Sequence, residues 1–200
     1  MAHIPDGVLS NPVLVAGGIL AAAGVARGLR ELEPARVPKV ALLSAVMFVA
    51  ALVHFPVGPA SVHLLLNGMA GILLGWAAFP ALLAALLLQA VMFGFGGLLV
   101  LGVNTVNMAV PAVLAGMAFR RLAGVPDGSR RTAIAAALCS GGAVLLTGLM
   151  VAGSLAASGR EFGAAARLVV LTHLPVMGIE AVFASAAIGL LARVKPEALA

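Results

Sequence analysis

Residues 40–119 read VALLSAVMFVAALVHFPVGPASVHLLLNGMAGILLGWAAFPALLAALLLQAVMFGFGGLLVLGVNTVNMAVPAVLAGMAF, 80 positions without one Asp, Glu, Lys or Arg. At roughly 20 residues per bilayer crossing, that stretch holds about four spans. The rest of the chain has the same character. Of 200 residues, 62% are apolar and 10% charged, and the mean hydropathy is +1.16. An ordinary globular chain runs about 45–50% apolar and about 25% charged. These numbers predict an all-α, polytopic membrane protein of one domain. Cys139 is the only cysteine, which excludes a disulfide scaffold and a cysteine-rich zinc module.

Gly, Pro and charge divide the chain into seven apolar spans, 12–29, 40–55, 60–79, 81–99, 104–119, 132–157 and 167–192, preceded by an N-terminal segment 1–11. Ser10-Asn11-Pro12 is a helix-start signal. With the N-terminus outside, seven crossings place Arg27, Arg30, Arg36, Lys39, Arg120, Arg121, Arg130, Arg131, Arg193 and Lys195 inside, and the C-terminus with them. Only Arg160 and Arg167 remain outside, so ten of twelve basic residues share one side, as the positive-inside rule requires. The reverse orientation inverts that ratio. The net charge of +5 therefore reports topology and not nucleic-acid binding. Residues 1–9 lack a basic n-region and contain Asp6, so the segment is expected to be retained on the outer side and not cleaved as a signal peptide. His3, His54, His63 and His173 all fall in the outer half.

There is no phosphate-binding loop, no helical His-Glu-x-x-His pair and no nucleophile–base frame. The chain is therefore read as a non-enzyme, and any ATPase that drives transport belongs to another chain. Histidine is what it owns. If Met1 is removed, as a small second residue commonly permits, the terminus becomes Ala2-His3. Its amine, the deprotonated His3 amide and the imidazole Nδ1 then close two chelate rings in one plane, and His63 can supply the fourth corner. If Met1 is kept, the amine, two amides and Nδ1 fill the square without His63. Planar nitrogen fields suit Ni(II) or Cu(II), and low-spin Co(II) also accepts one. The alternative is a frayed, inert terminal histidine, which the turn Pro5-Asp6-Gly7 before an apolar span argues against.

His63 opens the third span, and with Asn67, Gly71 and Gly75 at four-residue intervals it predicts one helical stripe facing protein. A histidine capping its own helix is the plainer reading of the same residue. Asn104 and Asn107 share a face of span five and Gln89 lies in span four; all three can simply tie helices together. His173 precedes Pro175, whose kink frees carbonyls for it to satisfy. Glu180 is the one acidic residue inside a span, a functional candidate by position or a structural group. In span one, Gly17, Gly18, Ala21 to Gly24 and Gly28 permit close helix contact, within the chain or with a partner.

Met1-Ala2-His3-Ile4-Pro5-Asp6-Gly7-Val8-Leu9-Ser10 resembles the opening of the CbiM/NikM family, the cobalt and nickel specificity subunits of energy-coupling-factor transporters. Ser61-Val62-His63-Leu64 with Asn67-Gly68 resembles its second histidine motif. Gly102-Val103-Asn104-Thr105-Val106-Asn107-Met108 resembles its asparagine motif, and Thr172-His173-Leu174-Pro175 through Glu180-Ala181 its last-helix pattern. The resemblance covers nearly the whole chain. It implies seven helices, an N-terminus tucked into the bundle from outside, and a metal held by the terminal amine (Met1 or Ala2), His3 and His63, with Asn67, Asn104, Asn107 and His173 around them. The family's usual form has His directly after Met, whereas Ala2 intervenes here. The family also implies a transmembrane coupling subunit, cytoplasmic ATPases and often a small auxiliary membrane subunit, in the bacterial plasma membrane.

The reading that follows is a metal-capture subunit of an ATP-driven importer, for cobalt over nickel because the alanine-containing opening looks like the CbiM branch, which serves cobalamin synthesis. The other classes weighed are a self-sufficient secondary carrier or channel relaying protons through Glu180, and a membrane enzyme using the histidines. Reporters fused or attached at Gly58 and Gly159 should be accessible from outside, and those at Pro34, Gly128 and Ala200 from inside. A cytoplasmic Gly58 would contradict the topology.

Overall fold

The computed structural model describes residues 3–57 and 60–199. Seven α-helices occur among them: α1 Asn11–Arg30, α2 Val37–Ala50, α3 Asn67–Leu74, α4 Ala78–Phe93, α5 Leu101–Ala123, α6 Arg130–Ser158 and α7 Gly163–Val194. Five stretches are long and apolar enough to cross a membrane: Asn11–Arg30, Asn67–Phe93, Leu101–Ala123, Arg130–Ser158 and Gly163–Val194. This is a helical, multi-pass membrane protein. α2, at 14 residues, is shorter than a full crossing.

Contacts between helices give their directions. Gly28, in the last turn of α1, lies against Trp76 and Pro80 at the α3–α4 junction, whereas Gly17 lies against Val103 in the first turn of α5. Asn67 reaches Met108, Gly71 abuts Ala112, and Gly75 approaches Arg120, so α3 runs parallel to α5. α4 runs back, ending at Phe93 beside Phe95, which in turn stacks on His3. Ser158 at the end of α6 meets Ser10, and Arg193 near the end of α7 donates to the Gly128 carbonyl. Directions therefore alternate along the chain. One end of the bundle collects His3, His63 and the α4–α5 loop; the other collects the α1–α2, α3–α4 and α5–α6 connections, the first and last of them basic.

Several expected boundaries move. Residues His54–Val57 and Ala60–His63 form an antiparallel two-stranded hairpin, with His54 opposite His63. The ends of spans 40–55 and 60–79 that meet here are thus strands in an otherwise helical chain. Pro56, within the first strand, is one reason: proline removes an amide donor and pushes its predecessor to extended backbone. Gly58, between the strands, lies outside the described residues. Span 60–79 becomes helical only at Asn67, so His63 is neither on the Asn67–Gly71 stripe nor capping a helix. At Gly75 the backbone turns positive in φ (59°), which breaks α3 from α4. Span 81–99 stops at Phe93, where Gly94 is left-handed and the Phe95 N–H donates back to the Gln89 carbonyl, a glycine stop.

Small residues set the helix spacing. Gly17, Ala21, Gly24 and Gly28 are the buried face of α1, turned towards Val103, Phe79 and Trp76 of the same chain. Of the two readings of span one, these residues serve the internal one. α3 and α5 touch main chain to main chain: a methyl at Gly71 would overlap the Ala112 carbonyl, and one at Gly116 the Gly71 carbonyl. Gly71→Ala and Gly116→Ala should each destabilise the purified protein by about 1–3 kcal/mol through overpacking. Gly142→Ala, on α6 with open space around it, should be neutral or stabilising by up to ~1 kcal/mol. Thermal unfolding in detergent compares the three; equal stability of all would refute the close α3–α5 contact.

Candidate metal centre

Two non-helical stretches of main chain build the centre. The first is the N-terminal segment. Ile4 is paired at both main-chain groups by one side chain: its N–H donates to Asn104 Oδ1 (3.1 Å) and its carbonyl accepts from Asn104 Nδ2 (3.0 Å). Asp6 Oδ1 accepts from the Val100 N–H (3.0 Å), one of the amides that a helix start leaves without an internal partner. The Ser10 N–H donates to Ser158 Oγ (3.2 Å). Ile4 and Leu9 are buried in a cluster with Val100, Val103, Val151 and Leu155. A segment tied at three points and seated on an apolar patch is docked, not frayed.

Docking puts His3 inside. Its ring stacks on His63 with centroids 4.7 Å apart and planes 12° from parallel; both residues are buried, at 6% and 3% exposure. Phe95 lies parallel to His3 at 6.4 Å. The second stretch, Leu64–Leu66, leads from the hairpin to α3. His63 Nδ1 lies 2.9 Å from the Leu64 carbonyl. Because a carbonyl only accepts, this contact places the proton on Nδ1 and the electron pair on Nε2. Beside the two rings is a cavity of about 10 Å³ whose walls include Met47, Gln89 and Met108. That is room for one water-sized body, so an ion entering it sheds its hydration shell to protein donors.

Among the described residues, no group of three or more His, Cys, Asp or Glu side chains is placed to hold an ion. His3 and His63 are the two imidazoles at this cavity. Met1 and Ala2, the expected source of the amine, lie outside the described residues.

The structure separates the other candidates. Asn104 orders the N-terminal segment, whereas Asn107, one turn on, accepts from Ser154 Oγ of α6 (3.2 Å). Asn67 ties three helices, donating to the Met108 carbonyl (3.0 Å) and Thr147 Oγ1 (2.9 Å). His173 is packed against Gly148, and its Nδ1–H donates to the Val169 carbonyl (2.7 Å). That is not the Leu171 carbonyl that Pro175 deprives of a donor. Asp6 and Phe95 were not legible as site residues, and Gln89 was legible only as helix glue. Gln89 does tie helices, through Nε2 to the Met47 carbonyl (3.3 Å). Its Oε1 is buried without a partner among the described residues, on a side chain that lines the cavity.

Residues 3–198 match the family described as CbiM, cobalt uptake substrate-specific transmembrane region. The chain belongs to this family. It is 44% identical over 204 residues to a Haemophilus influenzae chain named for metal transport, covering 98% of this chain and 96% of that one. It is 41% identical over 170 residues to the fused nickel transport protein NikMN of Rhodobacter capsulatus, covering 80% of this chain and 47% of that longer protein. Two crystal structures, of a transition metal transporter and a truncated form, share the fold. Their TM-scores are 0.71 and 0.69 at 24% identity, with 94% of this chain covered and 92% and 95% of theirs. The chain is accordingly a substrate-specific membrane component of the cobalt and nickel transport class.

In this CbiM-family chain, Asn104→Ala should leave the buried Ile4 N–H and carbonyl unpaired, at about 1–3 kcal/mol each. Hydrogen exchange of residues 3–9 should rise by more than about tenfold, and Asn107→Ala should leave it near wild type. Unchanged protection in Asn104→Ala would show that the apolar contacts alone hold the segment.

Proposed function

We propose that this chain is the metal-capture subunit of an ATP-driven importer of the energy-coupling-factor type. It spans a bacterial plasma membrane seven times as a single domain, with the N-terminus outside and the C-terminus inside. It takes Co(II), or Ni(II), on the outer side and releases it inward. The observation that carries the reading is the docked N-terminal segment, with His3 buried against His63 and few other donor side chains beside them. Collection of the basic connections at the opposite end of the bundle supports the orientation.

The ligand set is the terminal amine, the deprotonated His3 amide, the His3 imidazole and the His63 imidazole. With an Ala2 start the first three form the planar chelate and His63 closes it; with Met1 retained, a second amide takes the fourth corner. Two parallel ring planes cannot both contain one ion, so capture turns one of the stacked imidazoles. Nitrogen donors in a plane suit both ions, and selection between them rests on geometry and availability. The lean to cobalt follows the family description and the Ala2-His3 opening. Energy comes from elsewhere: a transmembrane coupling subunit, cytoplasmic ATPases and a small auxiliary membrane subunit are the partners, and the fused composition named for the Rhodobacter relative fits a multi-component system. The self-sufficient carrier reading draws no support from Glu180, whose Oε1 is engaged by two main-chain amides.

His3→Ala should abolish high-affinity Co(II) and Ni(II) binding while expression stays near wild type, as should one residue added ahead of the native terminus. His63→Ala should be severe with an Ala2 start and mild with Met1 retained, so mass spectrometry of the mature terminus accompanies the titration. Low pH should release the ion, because protons compete for the amine, amide and imidazoles. An extended, uncleaved terminus that still binds tightly would falsify the N-terminal chelate.

A further inference from the structure

Glu180 lies in α7 and is 1% exposed. A carboxyl group buried among membrane-spanning helices is costly to keep unless it holds something. Its Oε1 accepts from two consecutive main-chain amides, those of Leu65 and Leu66, the latter at 2.7 Å. Its Oε2 has no partner among the described residues. One oxygen thus does the work that a helical turn would otherwise do for those two N–H groups.

The amides it holds belong to a segment that would not keep its shape unaided. Leu66 has φ 54° and ψ 12°, the left-handed region that a leucine enters only when its surroundings impose it. The residue before a helix ordinarily takes extended backbone, not this conformation. Two residues earlier, the Leu64 carbonyl accepts from His63 Nδ1, the contact that orients the imidazole. Leu64, Leu65 and Leu66 are therefore one short strut: its first residue orients His63, and its last two are clamped by α7.

We infer that Glu180 is the positioning residue of His63, acting through the Leu64–Leu66 main chain and never touching the ion. The inference rests on the metal-capture reading above. Release of the clamp lets Leu66 leave the left-handed region and swings the Leu64 carbonyl, so His63 loses both its orienting contact and its place beside His3. What the strut requires is an acceptor at Oε1, not a charge and not a proton carrier. Glutamine, whose amide oxygen can accept the same two bonds, should therefore substitute; alanine and methionine should not.

The test uses the full chain with its native terminus, purified in detergent, and Ni(II) alone as probe. Glu180→Ala and Glu180→Met should bind Ni(II) about 10–100-fold more weakly, the usual cost of removing an outer partner of a ligating histidine, while Glu180→Gln stays close to wild type. On a His63→Ala background, Glu180→Ala should bring no further loss, because a residue acting through His63 has nothing left to act on. The visible ligand-field bands of Ni(II)-loaded Glu180→Ala should move to the position seen in His63→Ala. Full affinity in Glu180→Ala, an equal loss on both backgrounds, or Glu180→Gln as weak as Glu180→Ala would each overturn the inference. So would failure of both Ala and Met variants to fold while Gln folds, which assigns Glu180 to the stability of the bundle. With the terminus confirmed as Ala2 by mass spectrometry, His63→Ala alone binding Ni(II) like wild type would make the metal-capture ligand set fail first, and the inference would fall with it for that separate and recognisable reason.

Discussion

Main chain that is not helical, set among membrane-spanning helices, must have its N–H and carbonyl groups satisfied by protein. Here two such stretches meet, and each is satisfied by a polar side chain from a distant helix. Asn104 of α5 takes both main-chain groups of Ile4, and Glu180 of α7 takes the amides of Leu65 and Leu66. Asp6 reverses the pattern, lending its carboxylate to the amide of Val100 at the head of α5. These contacts, with the Ser10–Ser158 bond and the apolar seat of Ile4 and Leu9, hold the two stretches where His3 and His63 meet. The stacked imidazoles are the product of that satisfied backbone.

The scaffold that brings α5 and α7 into reach is made by absence of side chain. Gly71 and Gly116 let α3 and α5 touch main chain to main chain, which holds the start of α3, and the strut before it, close to the asparagine face of α5. Gly17 and Gly24 do the same for α1 against Val103 and Phe79. In lipid, where burying apolar surface gives little drive for helix association, such close approach and interhelical hydrogen bonds are what hold a bundle together. Asn67, bridging α3 to α5 and α6, and Ser44, donating to the Ala81 carbonyl (2.9 Å), belong to the same economy.

The membrane class and the helix-rich fold were legible because they rest on local signals, a charge-free run and the spacing of prolines and glycines, and the dipeptide pattern singled out His3, which the structure stacks on His63. What was misread depends on residues far apart in sequence. The four-residue stripe from His63 to Gly75 is real only from Asn67 onward, since Glu180, 115 positions from Leu65, holds the amides of the non-helical link before it. Asp6 looked like a turn residue because its partner, Val100, is 94 positions away. The hairpin was hidden by its apolar composition, although Pro56 and Pro59 marked the break in helix. Helix periodicity cannot report a non-helical link whose amides are held by a carboxylate on another helix.

The central claim is that metal is held by nitrogen alone, drawn from the terminus and two histidines. X-ray absorption at the metal edge of the Co(II)- or Ni(II)-loaded full chain, with its native terminus confirmed as Ala2, tests it directly. The account predicts a four-nitrogen planar shell with outer scattering from two imidazoles. A six-coordinate shell dominated by oxygen, or one with a single imidazole, would contradict it.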